Sequence, residues 1–255
     1  MKFYLSLSLI LILSGITYSS CQIINLDREK LRINKNIQPK LRMNSNSVNN
    51  PIQKVKIMPL GNSITDGYNV PGGYRINLWK QLTNQGLNFE FVGSMKNGPE
   101  SLPDKNNEGH SGWRIEQINR VVQRWLKKAQ PEIILLTIGT NDLVQNYLVE
   151  TAPERLDKLV SDIFAQLPEV QILVASIPPI DEAVINQKVQ DYNSAIKSLV
   201  EKRKKQGDRL VFVDIYSGLT MADLADGVHP NIQGHTKMAQ IWGNVLIDVL
   251  KESQK

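Results

Sequence analysis

From about residue 52 to residue 250, short apolar runs alternate with longer segments in which apolar residues recur every third or fourth position. Short apolar runs are typical of buried strands, and the wider spacing is typical of amphipathic helices. The pattern predicts strands at residues 55–60, 89–92, 133–138, 171–177 and 210–215. It predicts helices at residues 74–85, 115–129, 152–167, 183–205 and 232–250.

Strands and helices alternate along the chain, and this order predicts β-α units that build a parallel sheet. Right-handed crossovers place helices on both faces of such a sheet. The expected fold is therefore α/β, a flavodoxin-like three-layer α/β/α sandwich around a five-stranded parallel sheet.

Polar residues that could carry chemistry follow four of the predicted strands. They are Ser63 after the first strand, Gly93 after the second, Asn141 after the third, and Asp226 and His229 after the fifth. Ligands of parallel sheets bind outside the carboxyl ends of the strands. We therefore expect these five residues to converge at one edge of the sheet.

The N-terminal segment differs from the rest of the chain. Residues 1–21 have the pattern of an export signal: Lys2, an apolar run over residues 3–13, and small residues before Cys21. Residues 22–51 are rich in Asn, Ser, Lys and Arg, and we expect a flexible polar linker. The remaining residues, 52–255, form the predicted globular domain.

Cys21 lies where the signal ends, which leaves three fates open. The signal could be cleaved and Cys21 acylated as in a lipoprotein, cleaved near Cys21 without lipid, or retained as an anchor. Tyr18 weighs against the lipoprotein alternative, because such sites usually carry a leucine-like residue there. The expected location is secreted or periplasmic, with membrane attachment only through Cys21.

Composition limits the function classes. Hydrophobic residues make up 41% and charged residues 22%, as in soluble globular proteins. The formal charge is +5, but the basic residues are scattered among 25 acidic ones, so we expect no nucleic-acid partner. Cys21 is the only cysteine in the sequence, so no disulfide can form within one chain. The expected oligomeric state is a monomer.

Ser63, His229 and Asp226 could form a nucleophilic triad. A serine hydroxyl needs a base to take its proton, and the base needs a carboxylate to hold its orientation. His229 is the candidate base and Asp226 the candidate carboxylate. Read alone, Ser63 could instead cap a helix and His229 could be an uninvolved loop histidine.

A tetrahedral intermediate also needs hydrogen-bond donors for its oxyanion. We predict the backbone N–H groups of Ser63 and Gly93 and the side-chain amide of Asn141 as those donors. Read without the other motifs, Gly93 is a turn glycine and Asn141 a helix cap.

Four sequence blocks together resemble the SGNH hydrolases of the GDSL esterase group. They are Gly61-Asn62-Ser63-Ile64-Thr65-Asp66-Gly67, then Gly93, Gly139-Thr140-Asn141-Asp142 and Asp226-Gly227-Val228-His229-Pro230. Asn62 departs from the Asp that the GDSL name implies. The resemblance covers about residues 54–250 and implies an SGNH hydrolase catalytic domain at residues 52–255, in which Ser63, Gly93, Asn141 and His229 are the name-giving residues.

A finer resemblance is to the acetylxylan esterase-like branch of the group. It rests on Pro59 to Gly67, Gly72-Gly73-Tyr74-Arg75, Phe91-Val92-Gly93-Ser94 and Glu108-Gly109-His110-Ser111-Gly112-Trp113. The resemblance implies a carbohydrate esterase, and the export signal agrees with it. The implied substrate is an acylated carbohydrate or another small ester.

Arg75, His110 and Trp113 are candidate substrate-binding residues. Arg75 could order the loop after Ser63, Trp113 could stack on a sugar ring, and His110 could line the cleft. Alternatively, Arg75 pairs with a carboxylate such as that of Asp66, Trp113 anchors its loop to the core, and His110 is uninvolved. His235, inside the last predicted helix, is expected to be structural.

The expected function is a serine esterase that hydrolyses acetyl or other short acyl esters without metal or cofactor. With three histidines and no clustered cysteine, the sequence offers no catalytic metal site. A lysophospholipase- or thioesterase-type lipid esterase remains an alternative, although the polar stretch 97–112 offers no apolar lid. A non-catalytic carbohydrate-binding surface module is the alternative from another class.

Overall fold

The computed structural model describes residues 53–252, with the side chain of residue 252 left out. The predicted export signal and linker lie outside the described residues. Within them, the strands are β1 Val55–Gly61, β2 Phe89–Phe91, β3 Met95–Lys96, β4 Asn106–Gly109, β5 Ile133–Thr137, β6 Gln171–Ala175 and β7 Leu210–Val213.

The helices of the described residues follow the predicted order, with short additions. They are α1 Ser63–Asp66, α2 Arg75–Asn84, α3 Ile115–Asn119, α4 Val122–Ala129, α5 Thr140–Val144, α6 Ala152–Gln166, α7 Ala183–Lys205 and α8 Ile232–Glu252. Single 3-10 turns lie at Val149–Thr151, Tyr216–Gly218 and Met221–Asp223.

One mostly parallel sheet runs through the middle of the domain in the order β3-β4-β1-β5-β6-β7, with β2 also paired to β1. Among the strands of residues 53–252, only β3 and β4 pair antiparallel. Two short strands share one side of β1: Ile57 is level with Phe91 of β2, whereas Gly61 is level with Gly109 of β4. On this side of β1, the strand that borders its carboxyl end is therefore β4, and on the other side it is β5.

Helices cover both faces of the sheet. Successive strand residues point to opposite sides, so Ile57 packs with α2 and α8 while Met58 packs with α3, α4, α6 and α7. In β5, Leu135 lies on the same side of the sheet as Ile57, and Ile134 lies on the same side as Met58. This confirms the predicted α/β/α sandwich.

Two details differ from the sequence prediction. The predicted helix 115–129 is two helices, because Val121 (φ −125°, ψ −11°) leaves the helical region between α3 and α4. Val121 and Val122 are adjacent β-branched residues, which favour a helix less than unbranched ones do. The pair β3 and β4 was not predicted, because the Asn-Asn-Glu-Gly sequence of β4 contains no apolar residue.

Candidate active site

Ser63 begins helix α1 directly after the buried strand β1. Asn62 caps this helix, and its Oδ1 accepts the backbone N–H of Ile64 at 3.1 Å. Gly61 passes so close to β5 that a Cβ there would lie 2.3 Å from the carbonyl oxygen of Thr137. The tight strand-to-helix turn thus brings Ser63, which is 5% exposed, to the carboxyl edge of the sheet.

A continuous hydrogen-bonded chain joins Ser63, His229 and Asp226. Oγ of Ser63 lies 2.9 Å from Nε2 of His229, and Nδ1 of the same imidazole lies 2.8 Å from Oδ2 of Asp226. The structure therefore brings together the three residues that the sequence placed after the first and fifth predicted strands. This is the geometry in which a base can take the serine proton.

The carboxylate of Asp226 is held in its ionised form. Its Oδ1 accepts the backbone N–H groups of Val228 at 3.0 Å and His229 at 2.8 Å. Partial burial acts to raise the pKa of Asp226, but the hydrogen bonds from His229 and Val228 together hold that pKa below its ordinary value. An ionised Asp226 can accept the Nδ1–H of His229 and stabilise the imidazolium.

The loop that carries His229 is tied to its surroundings by backbone contacts. The carbonyl of His229 accepts the N–H of Ala225 at 2.8 Å, and Leu224 forms a β-bridge with Pro230. The carbonyl of Gly227 accepts the N–H of Asp181 from the neighbouring loop at 2.7 Å. These contacts hold the backbone that carries the imidazole.

Asn141 lies in the first turn of α5, directly after β5. One hydrogen of its side-chain amide is donated to the carbonyl of Trp113 at 2.8 Å. The following residue, Asp142, is fully buried and accepts the N–H of Ile115 at 3.2 Å and a guanidinium hydrogen of Arg155. Asn141 is thus held from two sides and keeps a second amide hydrogen for a ligand.

Gly93 lies further from the carboxyl end of β1 than the sequence predicted. Strand β2 ends level with Ile57, so Gly93 does not reach the carboxyl end of β1. It packs against the backbone of Asn107, where a Cβ would lie 2.2 Å from the carbonyl oxygen. It lines a cavity of about 270 Å³ with residues such as Lys56 and Trp125, and no residue of the triad lines that cavity.

A turn after β4 occupies the position that Gly93 was expected to take. The N–H of His110 bonds to the carbonyl of Gly61 at 2.9 Å, and the N–H of Trp113 bonds back to His110 at 3.1 Å. Trp113 is also the acceptor for Asn141, so the exposed Gly112 lies between the Ser63 loop and Asn141. The sequence signal for this turn is Gly-His-Ser-Gly-Trp at residues 109–113. That the turn lies next to the end of β1 follows only from the pairing of β4 with β1.

Arg75 is fully buried and does not face solvent. Its guanidinium donates to the carbonyls of Thr65 and Asp66 at 3.1 Å each, to the carbonyl of Lys105 at 3.2 Å, and to Oδ1 of Asn97 at 2.8 Å. Arg75 therefore orders the loop after Ser63 from inside the domain, and its burial argues against a role in substrate binding. It bonds to the backbone of Asp66 rather than to its carboxylate.

His110 and Trp113 belong to an aromatic stack. The imidazole of His110 stacks against the indoles of both Trp113 and Trp125, at centroid distances of 4.4 Å and 4.5 Å, and the two indole centroids lie 6.1 Å from each other. Its Nε2 lies 2.9 Å from Oε2 of the buried Glu108. His110 is partly buried in this stack, and Trp113, half-buried, keeps a surface towards solvent.

Two more residues lie around His229. The ring of Tyr68 lies beside the imidazole, with centroids 5.4 Å apart and planes tilted by 42°, and the sequence did not single it out. His235 is buried in α8, as expected of a structural histidine, and neither ring nitrogen has a hydrogen-bond partner among residues 53–252. Burial, with smaller effects of His229 and Arg75, lowers the pKa of His235 to about 4.

Two further properties concern the described part of the chain alone. No group of three or more His, Cys, Asp or Glu side chains there is arranged to hold a metal ion. No helix between residues 53 and 252 is both long and apolar enough to cross a membrane.

Comparison with known proteins identifies relatives of this chain. Residues 57–242 match the family of GDSL-like lipases and acylhydrolases. A multidomain esterase from Ruminococcus flavefaciens is 33% identical over 227 residues, which cover 78% of this chain but 29% of that protein. The chain thus spans less than a third of the length of this relative.

Solved structures agree with the sequence match. A family 3 carbohydrate esterase from Clostridium thermocellum is 36% identical, with a TM-score of 0.71, over 78% of this chain and 98% of the other. An acetyl esterase mutant with an acetate ion is 29% identical, with a TM-score of 0.69, over 78% and 99% of the two chains. The chain therefore belongs to the GDSL-like lipase/acylhydrolase family, with the SGNH hydrolase fold.

Proposed function

We propose that the protein is a secreted serine esterase that removes acetyl or other short acyl groups from carbohydrate. The observation that carries the proposal is the unbroken chain from Ser63 Oγ through His229 to Asp226, with heavy-atom separations of 2.9 Å and 2.8 Å. This arrangement supports nucleophilic catalysis without a cofactor.

In the first half-reaction His229 takes the proton of the Ser63 hydroxyl while Oγ attacks the ester carbonyl carbon. The resulting tetrahedral intermediate collapses, and the bond from the acyl carbon to the alcohol oxygen breaks. Nε2 of His229 returns the proton to the leaving alcohol, so an acyl group remains on Ser63.

In the second half-reaction a water molecule takes the place of the alcohol. His229 accepts one proton of that water as its oxygen attacks the acyl carbon. Collapse of the second tetrahedral intermediate returns the proton to Oγ of Ser63 and releases the carboxylic acid. Asp226 stays ionised and stabilises the imidazolium in both half-reactions.

We propose three donors for the oxyanion: the backbone N–H groups of Ser63 and Gly112 and the second amide hydrogen of Asn141. Gly112 replaces Gly93 in this role, because β4 rather than β2 borders the carboxyl end of β1. Donors fixed by the fold are effective because they need no reorganisation as charge develops.

The carbohydrate ester is supported by the relatives. A family 3 carbohydrate esterase and an acetyl esterase share the fold over nearly the whole domain. The polar sequence of residues 97–112 gives no apolar lid for a long acyl chain, which argues against a lysophospholipase or thioesterase. The hydrogen-bonded triad argues against a non-catalytic carbohydrate-binding module.

Export, monomeric state and membrane attachment remain proposals from the sequence. The pattern of residues 1–21 supports export, and Cys21 offers the attachment point if it is acylated. Intact-mass measurement of the protein from the native host, with and without Cys21→Ser, distinguishes the three fates of the signal.

Ser63→Ala tests the proposal. We expect the variant to keep its circular dichroism spectrum and to lose p-nitrophenyl acetate hydrolysis by more than about 10⁴-fold, because the residual oxyanion site cannot form an acyl-enzyme. A fluorophosphonate should label the wild-type protein at Ser63 and leave the variant unlabelled. Ser198→Ala, which changes an exposed serine of α7, is the matched control. A folded and fully active Ser63→Ala protein contradicts the proposal.

The substrate is tested with a panel of acetylated xylan, acetylated monosaccharides and lipid esters, and with acetate and octanoate esters of one alcohol. We expect acetate to be released from the carbohydrate esters and the acetate ester to be preferred over the octanoate ester. A clear octanoate preference supports the lipid esterase instead.

A further inference from the structure

We propose that Tyr68 forms a binding subsite for the sugar ring of the leaving alcohol. The inference rests on the proposed function and extends it from the acyl group to the alcohol that carries it. It is carried by the place of Tyr68 beside His229, by its exposed ring and by the contacts that hold its backbone.

Tyr68 is attached directly to the nucleophile helix. Its backbone N–H bonds to the carbonyl of Ser63 at 3.1 Å, and the N–H of Gly67 bonds to the same carbonyl at 2.9 Å. The next side chain, Asn69, donates to the carbonyl of Pro230 at 3.0 Å. Because Pro230 directly follows His229, these bonds fix Tyr68 relative to both Ser63 and His229.

Tyr68 is 67% exposed although its backbone is held by these bonds. Its ring lies beside the imidazole of His229 at a centroid distance of 5.4 Å, and most of the residue faces solvent. A tyrosine side chain has only two rotatable bonds, so it loses little conformational entropy when a ligand packs on its ring. The site thus presents an apolar surface next to the catalytic base.

The chemistry of the proposed reaction places the alcohol near this ring. His229 returns the proton to the leaving alcohol oxygen, so that oxygen must come within hydrogen-bond distance of Nε2. An alcohol larger than a few atoms then extends past the imidazole edge, where Tyr68 lies. The C–H face of a pyranose ring is flat and apolar, and packing it on an aromatic face removes apolar surface from water.

Orientation of His229 does not require Tyr68. The imidazole already bonds to Asp226 through Nδ1 and to Ser63 through Nε2. Its backbone N–H is held by Asp226 and its carbonyl by Ala225. The Tyr68 ring is therefore available for the alcohol.

The test compares two acetyl esters that differ only in the alcohol: methyl 2,3,4-tri-O-acetyl-β-D-xylopyranoside and ethyl acetate. Acetate release gives kcat/KM for each, and their ratio measures recognition of the sugar ring. We expect Tyr68→Ala to lower the ratio by about 10-fold, mainly through KM, which is the size of one aromatic ring contact. Tyr68→Phe, which keeps the ring, should leave the ratio within about twofold of wild type.

Val184→Ala is the control, since Val184 is a 66% exposed apolar residue in the first turn of α7. Its ratio should equal that of wild type.

An equal loss on both esters in Tyr68→Ala overturns the subsite, because the ring then acts through His229. A Tyr68→Phe ratio as low as that of Tyr68→Ala also overturns it. A wild-type protein that hydrolyses neither ester contradicts the proposed esterase function itself, whereas ethyl acetate hydrolysis with an unchanged ratio in Tyr68→Ala overturns the subsite alone.

Discussion

Asp226 holds His229 by two routes, through the imidazole Nδ1 at 2.8 Å and through the backbone N–H at 2.8 Å. One carboxylate thus fixes both the ring and the main chain of the base. The two carboxylate oxygens have different roles, since Oδ2 faces the imidazole and Oδ1 closes the tight turn that presents it.

Replacing this carboxylate by an amide separates the two roles. In Asp226→Asn the amide oxygen can still accept the backbone N–H groups, but the amide nitrogen favours the wrong imidazole tautomer. We expect kcat to fall by about 10³- to 10⁴-fold with little change in the melting temperature. The measurements are p-nitrophenyl acetate kinetics and thermal unfolding.

Asp181→Asn is the control for Asp226→Asn. Asp181 carries an exposed carboxylate, and its backbone contacts the same turn through Gly227. We expect activity close to that of wild type. An Asp226→Asn protein that keeps more than about a tenth of wild-type kcat would show that Asp226 is not the orienting carboxylate.

Asn141→Ala should reduce kcat by about 10²- to 10³-fold and change KM little, because an oxyanion donor acts in the transition state. Gln145→Ala is the control: Gln145 donates to the carbonyl of Gly112 at 3.4 Å from an exposed position. Both variants remove a side-chain amide that bonds to the turn at residues 110–113. Equal losses in the two variants would indicate that both act on the position of the turn.

Arg75→Met should lower the free energy of unfolding by about 3 kcal/mol, because buried carbonyls that bond to a guanidinium lose a charged donor. Activity should fall as well, since Arg75 orders the loop that follows Ser63. Urea unfolding and ester hydrolysis measure the two effects. Arg120→Met, an exposed arginine at the end of α3, should change stability by less than about 0.5 kcal/mol.

The free energy of unfolding of the domain should decrease as the pH is lowered, partly because of His235. Its folded pKa of about 4 lies below the ordinary value of about 6.5, so the unfolded state binds the proton first as the pH falls. His235 therefore does not lower the free energy of unfolding above about pH 6.5, and it lowers this free energy more and more as the pH falls towards about 4. We expect this cost to reach about 2 to 3 kcal/mol near pH 4.5.

His235→Gln tests this prediction by comparison, because other titrating groups are the same in both proteins. The difference in unfolding free energy between variant and wild type should shift by about 2 to 3 kcal/mol in favour of the variant from pH 7.5 to pH 4.5. Urea unfolding at a series of pH values measures it. A difference that stays constant over this range contradicts a buried neutral His235.

Much of the candidate site could be predicted because Ser63 and Asn141 come just after β1 and β5, and Asp226 and His229 lie in the connection that follows β7. Parallel topology brings the carboxyl ends of such strands to one edge, so convergence follows from local patterns alone. The distances between these side chains required the fold, since a spacing of 166 residues carries no geometry.

Gly93 and Gly112 mark the limit of that reasoning. The sequence signal for β2 is a short apolar run, and it correctly identified a strand, but it does not say how far along β1 the strand pairs. Strand β4 has no apolar residue and is specified by its hydrogen bonds to β1 and β3. Strand pairing between polar segments is decided by tertiary contact, because local propensity there favours no single structure.

The sequence by itself determined the α/β class, the alternation of elements and the residue types of the proposed triad, because periodicity and motif chemistry are local. Only the tertiary structure decided that Arg75 is buried, that His110 stacks on two indoles, that β4 borders Gly61, and that Tyr68 lies beside His229. The physical reason is that burial, stacking and strand register depend on partners distant in sequence, and the free energy of those contacts exists only once the sheet has formed.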